Sequence, residues 1–185
     1  CALPILTSTE HIRQIMDSLV QARRSGEAWS PGAFDSSLGI DEAYRVQDAV
    51  AAEMGWFPSG RPCAWKAGGK PAMSAAALPR VLASGAVWDH ELGHDLVAEA
   101  EIAVRLGRTP TSAADASACV ATLCVSLEVV GTRLAGGLAA PAAWKLADQG
   151  VHGVLVVGPE SPWELRDWAT QACSLQINDE PALHA

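Results

Sequence analysis

The stretch VAEAEIAVRLG, Val97 to Gly107, places Glu99 and Glu101 two residues apart inside an otherwise apolar run. On a strand, positions i and i+2 share a face, so both carboxylates would point the same way. On a helix they would lie about 200° apart around the axis. Ile102, Val104 and Leu106 alternate with Ala103 and Arg105, and Gly107 ends the run, which predicts a strand. Two like charges on one face repel, and each is costly to bury alone. The face is therefore either wet, as on one side of an antiparallel strand, or compensated by a cation.

A second strand is expected at Thr122 to Val130, TLCVSLEVV. Alternation puts Val125, Leu127 and Val129 on one face and Cys124, Ser126, Glu128 and Val130 on the other. A lone Glu in such a run usually faces water at a sheet edge. Three acids in two strands are harder to assign to wet faces, and clustered carboxylate oxygens suit Mg²⁺ or Mn²⁺.

Around these strands the periodicity predicts helices. Ile12, Ile15, Met16, Leu19 and Val20 follow the spacing of an amphipathic helix over 8–24, with Ser8 or Thr9 as cap and Gly26 closing it. A second helix is expected over 41–54, with short helices at 115–121 and 139–148. CAWKAGG (63–69) and VHGVLVVG (151–158) read as strands, and residues 70–95 carry no clear assignment. Asn178–Asp179 signals a hairpin turn with no returning strand expected after it.

Composition narrows the function classes. Net charge is −8 with no basic cluster, which argues against a nucleic-acid partner. No apolar run is long enough to span a bilayer. The five cysteines are scattered without CxxC spacing, which fits a reducing cytoplasm better than a disulfide framework or a cysteine zinc site. HELGH, His90 to His94, matches the HExxH zinc pattern, with Glu91 as the would-be base of a peptidase. Its context is poor: Gly93 weakens the required helix, and the strand pattern begins directly after His94. Lys66, in WKAGG, is either a partly buried acid or base, or a surface lysine whose stem packs on Trp65.

In order along the chain, LVQARRSG, GIDEAYRVQDAV, AWKAGG, VAEAEIAVRLG, SLEVVGTRL and WKLADQGVHGVLVVG together resemble the 2-keto-4-pentenoate hydratase and 4-oxalocrotonate decarboxylase group of the fumarylacetoacetate hydrolase superfamily. The resemblance implies an α+β fold: an N-terminal helical segment over 1–62, then a mixed β-roll of the superfamily's C-terminal domain type over 63–185. The family runs on past the point matching residue 185, so the roll is expected to be truncated at its C-terminus. It implies Glu99, Glu101 and Glu128 as ligands of Mg²⁺ or Mn²⁺, Lys66 as catalytic residue and Arg133 in substrate binding. The activity implied is a lyase: hydration or decarboxylation of a 2-hydroxydienoate or 2-oxo acid of aromatic meta-cleavage catabolism. It further implies a homo-oligomer, able to associate with a related enzyme of the pathway. A C–C hydrolase acting on acylpyruvates, a non-catalytic partner subunit or fragment, and remotely the HExxH zinc peptidase are the competing readings. The sequence departs from the family where Gly131 replaces an acid, where Gln149 replaces an Asn, and in KPAMSAAALPRVLASG, which lacks the acid the family places after its lysine.

Overall fold

The computed structural model describes residues 8–33, 38–62, 64–68, 74–88, 93–164 and 167–184. Among the described residues, three α-helices, α1 (Ser8–Ser25), α2 (Ile40–Glu53) and α3 (Ala142–Ala147), accompany nine strands. The strands are β1 (Trp65–Gly68), β2 (Ser74–Ala77), β3 (Val81–Ala83), β4 (His94–Leu106), β5 (Val120–Thr132), β6 (His152–Val157), β7 (Ser161–Pro162), β8 (Ser174–Leu175) and β9 (Leu183–His184). The fold is α+β, and the described strands form open sheets rather than a closed barrel. The largest sheet has the order β3–β6–β5–β4, with β7 paired to β5; β1–β2 and β8–β9 are separate antiparallel pairs.

The chain divides into two compact units: one of Cys1–Val81, Trp88–Val97 and Val129–Val154, the other of Leu82–Val87, Ala98–Glu128 and Leu155–Ala185. The first holds the helical core. The 3.6-residue spacing of α1 buries Ile12, Ile15, Leu19 and Val20 against Val46 and Val50 of α2 and Trp144 and Leu146 of α3. Each such side chain contributes roughly 1.5–3 kcal/mol by leaving water. Trp29 meets the Trp144 ring edge-on at 5.6 Å, and its backbone exchanges hydrogen bonds with Arg133 O and Ala135 N, both 2.8 Å. α2 begins where the Glu42 carboxylate accepts the Gly39 N–H at 3.2 Å, and α1 ends with Arg23 and Arg24 at its negative pole.

In the second unit the outer parts of β4 and β5 lead into the 107–119 connection, where Gly107 N donates to Cys119 O at 2.8 Å. The short α-helix expected over 115–121 is instead two 3₁₀ turns, Ala113–Asp115 and Ser117–Cys119. Side chains hold this loop in place of a helical ladder: Ser112 Oγ accepts Asp115 N–H, and Arg108 grips the Asp115 carboxylate at 2.6 and 2.7 Å. The helix expected over 139–148 shortens to α3, because Pro141 sets its start and a 3₁₀ turn, Gly137–Ala139, precedes it. The unassigned 70–95 stretch contains β2, β3 and the start of β4. The expected absence of a strand returning from Asn178–Asp179 is corrected: Ser174 and Leu175 pair with His184 and Leu183, and Asn178 takes the left-handed conformation (φ 53°) that such a turn requires. The returning strand is only two residues long, too short to show any alternation in the sequence.

Candidate metal centre

β4 and β5 are neighbours, so the two periodicities read from the sequence place their acids side by side. Glu99 and Glu101 on β4 and Glu128 on β5 each bring one carboxylate oxygen within 4.8 Å of the others. Oxygens bound to a common ion at about 2.1–2.5 Å span up to twice that distance, so this spread suits a divalent cation. Three hard, anionic oxygen donors with no imidazole or thiolate among them favour Mg²⁺, Mn²⁺ or Ca²⁺ over zinc. The residues present therefore fit the metal that the sequence suggests.

The burial is uneven. Glu128 is 0 % exposed, whereas Glu99 and Glu101 keep contact with solvent. β5 runs between β6 and β4, and on one of its faces Cys124, Ser126, Glu128 and Val130 are all buried. The expectation that a lone Glu faces water thus fails at Glu128. A carboxylate taken wholly out of water is retained only with strong compensation, which three converging like charges make more pressing. Ser126, two positions before Glu128 on the same face, is 3 % exposed, and its hydroxyl oxygen has no hydrogen-bond partner among the described residues.

Lys66 sits on β1, opposite Ala76 of β2. Its stem runs beside Gly150, where an added Cβ would lie 3.5 Å from Lys66 Cδ and 3.2 Å from Ala76 Cβ. Gly150 is the centre of three successive left-handed residues, with Gln149 at φ 59° and Val151 at φ 57°. Val151 is β-branched, so its backbone stores strain of about 1–3 kcal/mol. The buried Gln149 donates from Nε2 to Ala77 O at 2.9 Å, tying this turn to β2.

Arg133 is 5 % exposed and belongs to a buried ionic cluster in the first unit. Asp148 Oδ1 accepts from Arg133 Nε and Arg23 Nη2, both at 2.8 Å. Asp148 Oδ2 accepts from the Arg133 backbone N–H at 2.9 Å and Thr132 Oγ1 at 3.2 Å. Burial, then the neighbouring Arg133, lowers the Arg23 pKa to about 9 against the pull of Asp148. Sequence reasoning did not single out Arg23 or Asp148, which lie 125 positions apart. Their signal was at most an Arg inside an amphipathic helix and an Asp after a short helical run.

Of the HExxH match, His90 and Glu91 lie outside the described residues. His94 opens β4 and its Nε2 lies 2.9 Å from Gly26 O, an acceptor to which it donates. Cys119 and Cys124 are buried, free of any disulfide, and pack as small core residues. No helix among the described residues is long and apolar enough to cross a membrane.

A Glu-x-Glu strand paired with a second acid-bearing strand, in a chain of helices and sheets, defines a carboxylate-lined α+β protein. The chain belongs to the fumarylacetoacetate hydrolase family: the model of the fumarylacetoacetate (FAA) hydrolase C-terminal domain matches residues 64–185. The fold is also that of 4-oxalocrotonate decarboxylase from Pseudomonas putida G7. The structure of that protein complexed with calcium and acetate superposes with a TM-score of 0.68 at 18 % identity, covering 84 % of this chain and 64 % of the other. The structure complexed with magnesium and adipate gives 0.64 at 16 % identity, covering 84 % and 65 %. The chain thus spans somewhat under two thirds of the length of these structures. No curated protein matches it.

Proposed function

We propose that the chain is the metal-binding part of a lyase that hydrates or decarboxylates a small 2-hydroxydienoate or 2-oxo acid, with Glu99, Glu101 and Glu128 holding Mg²⁺ or Mn²⁺. The observation that carries this reading is the convergence of the three carboxylates, one fully buried, within a span a single divalent ion fills. Membership of the fumarylacetoacetate hydrolase family supports it. So does the ligand chemistry of the structural relatives, which are complexed with a divalent ion and a carboxylic acid. When bound, the metal would supply a Lewis acid for the carboxylate and 2-oxygen of the acid substrate.

The residues of the chain set what that ion can do. Glu128, wholly buried on an interior strand, fixes one ligand rigidly, while Glu99 and Glu101 present theirs from the more open strand. Three negative ligands leave an ion's remaining positions to water or substrate, the arrangement from which a chelating acid can displace solvent. Lys66 is the residue assigned to moving a proton at the substrate chain or orienting water. Its stem is confined beside Gly150, which supports a positioned rather than a freely moving ammonium.

The test is calorimetric titration of Mg²⁺ and Mn²⁺ into the wild type and Glu101→Gln, followed by turnover of 2-hydroxydienoates and 4-oxalocrotonate with products identified. Saturable binding that the substitution weakens at least about a hundredfold, with metal-dependent loss of substrate, is the expected result. A folded wild type that binds neither ion overturns the metal site. Metal binding with acylpyruvate cleavage as the sole turnover moves the assignment to the C–C hydrolases.

A further inference from the structure

Ser126 is a buried polar residue to which neither the fold nor the three carboxylates assign a task. It is 3 % exposed, and its Oγ has no hydrogen-bond partner among the described residues. Most buried hydroxyls are paired, because one left alone gives up its bonds to water and gains none. Ser126 belongs to the second unit, as do Glu99, Glu101 and Glu128.

Strand geometry places the hydroxyl at the carboxylate centre. From Cys124 to Glu128 burial alternates without a break: Cys124, Ser126 and Glu128 are buried, while Val125 is exposed and Leu127 half-buried. Ser126 and Glu128 therefore share a face, about 6.5 Å apart along the strand. The carboxylates of Glu99 and Glu101 converge with that of Glu128, so they reach the same region. The 107–119 connection is closed by the bond from Gly107 N to Cys119 O, so the neighbouring strands β4 and β5 run antiparallel. Counted from that bond, Glu101 is six residues along β4 and Glu99 eight, while Ser126 is seven along β5. The hydroxyl thus falls at the level of these two acids. It stands beside three acceptors and bonds to none of them.

We infer that Ser126 is a positioning residue of the metal centre. Its hydroxyl pairs with an oxygen that arrives with the ion: a water of its shell, or a carboxylate oxygen of a chelating acid. A hydroxyl can donate to either and can also accept from the water. Three anionic ligands leave the other positions of a Mg²⁺ ion to such oxygens, and groups that hold them in place tune affinity without touching the metal. This inference rests on the reading of the three glutamates as a metal centre.

The experiment titrates Mg²⁺ into the full chain, wild type and Ser126→Ala, by calorimetry, alone and with saturating pyruvate, and measures thermal unfolding of both proteins in chelator. Ser126→Ala is expected to bind Mg²⁺ about tenfold more weakly. In chelator its unfolding midpoint should equal or exceed that of the wild type, since the hydroxyl removed there bonds to nothing. A loss seen with Mg²⁺ alone supports a water as the partner; a loss seen only with pyruvate supports the carboxylate oxygen. A lower midpoint in chelator assigns the hydroxyl to the fold and overturns the inference. A wild type that binds Mg²⁺ no better than Ser126→Ala under both conditions overturns this inference alone. A folded wild type that binds no ion overturns the metal centre and this inference with it.

Discussion

The two units of this chain each bury charge, and they do so in opposite ways. In the first unit Asp148 is enclosed by donors: two guanidinium groups, a backbone N–H and a threonine hydroxyl fill both its oxygens. In the second, three carboxylates converge and one of them is sealed from solvent. The first arrangement closes on itself around its acid; the second concentrates negative charge at one point. A buried ion that is fully hydrogen-bonded is a structural element, whereas clustered like charges store repulsion that a counter-ion can relieve. The comparison separates a cluster whose chief effect is on folding from one whose chief effect is on ligand binding.

The sharpest way to break that distinction is to remove the acid from the first cluster. Asp148→Ala removes the buried carboxylate that Arg23 and Arg133 share, and is expected to cost about 3–5 kcal/mol. At roughly 2–4 °C per kcal/mol for a chain of this size, the midpoint should fall by about 6–20 °C. Denaturant unfolding with and without Mg²⁺ checks it, and the loss should be the same in both. A loss below about 1 kcal/mol would mean that water reaches the cluster, and would place it with the surface pairs.

The second cluster should behave in the reverse manner. Its contribution is expected to appear only with ligand: at a free Mg²⁺ concentration a hundred times the dissociation constant, the wild type gains about 2.7 kcal/mol. Glu128→Gln should lose that increment, since an amide donates no negative charge to the ion. Thermal unfolding in chelator and in Mg²⁺ gives the increment directly for each protein. An increment that survives in Glu128→Gln would show that the ion, if bound, is held elsewhere.

The sequence made the second cluster more legible than the first, and the reason is local geometry. A period of two places Glu99 and Glu101 on one face and Ser126 and Glu128 on another, so only the neighbouring of β4 and β5 remained to be supplied, and the family resemblance supplied it. The helices α1 and α2 were readable because Ile12, Ile15, Leu19, Val46 and Val50 repeat at the helical spacing. Glu128's depth was not readable, because tertiary packing decides which face of a strand is covered: on β5 Glu128 is buried while Val125 is exposed. The Arg23–Asp148 pair joins residues 125 apart, and no spacing rule reaches that far. The left-handed run at Gln149–Gly150–Val151 was hidden for another reason: only its glycine advertises such a backbone, while Val151 disfavours it.

The smallest expected effect provides the reference for both clusters. Arg105 on β4 pairs with Glu160, which also accepts from Thr122 Oγ1 at 2.6 Å, and these groups lie at the surface of the second unit. The hydrogen bonds from Arg105 and then Thr122 hold the Glu160 carboxyl below its usual range. Its folded pKa is thus lower than its unfolded one, so the stabilisation is complete above the ordinary carboxylate pKa of about 4.5. It is lost as pH falls from there through the lower folded value. Glu160→Gln should therefore lower stability at pH 7 only slightly, as for other solvent-screened pairs, and flatten the acid limb of the stability curve. Unfolding midpoints of both proteins between pH 7 and pH 3 provide the check, repeated at high salt, where the difference should shrink. A pH 7 loss as large as that of Asp148→Ala would erase the contrast between exposed and enclosed charge on which the comparison of the two units rests.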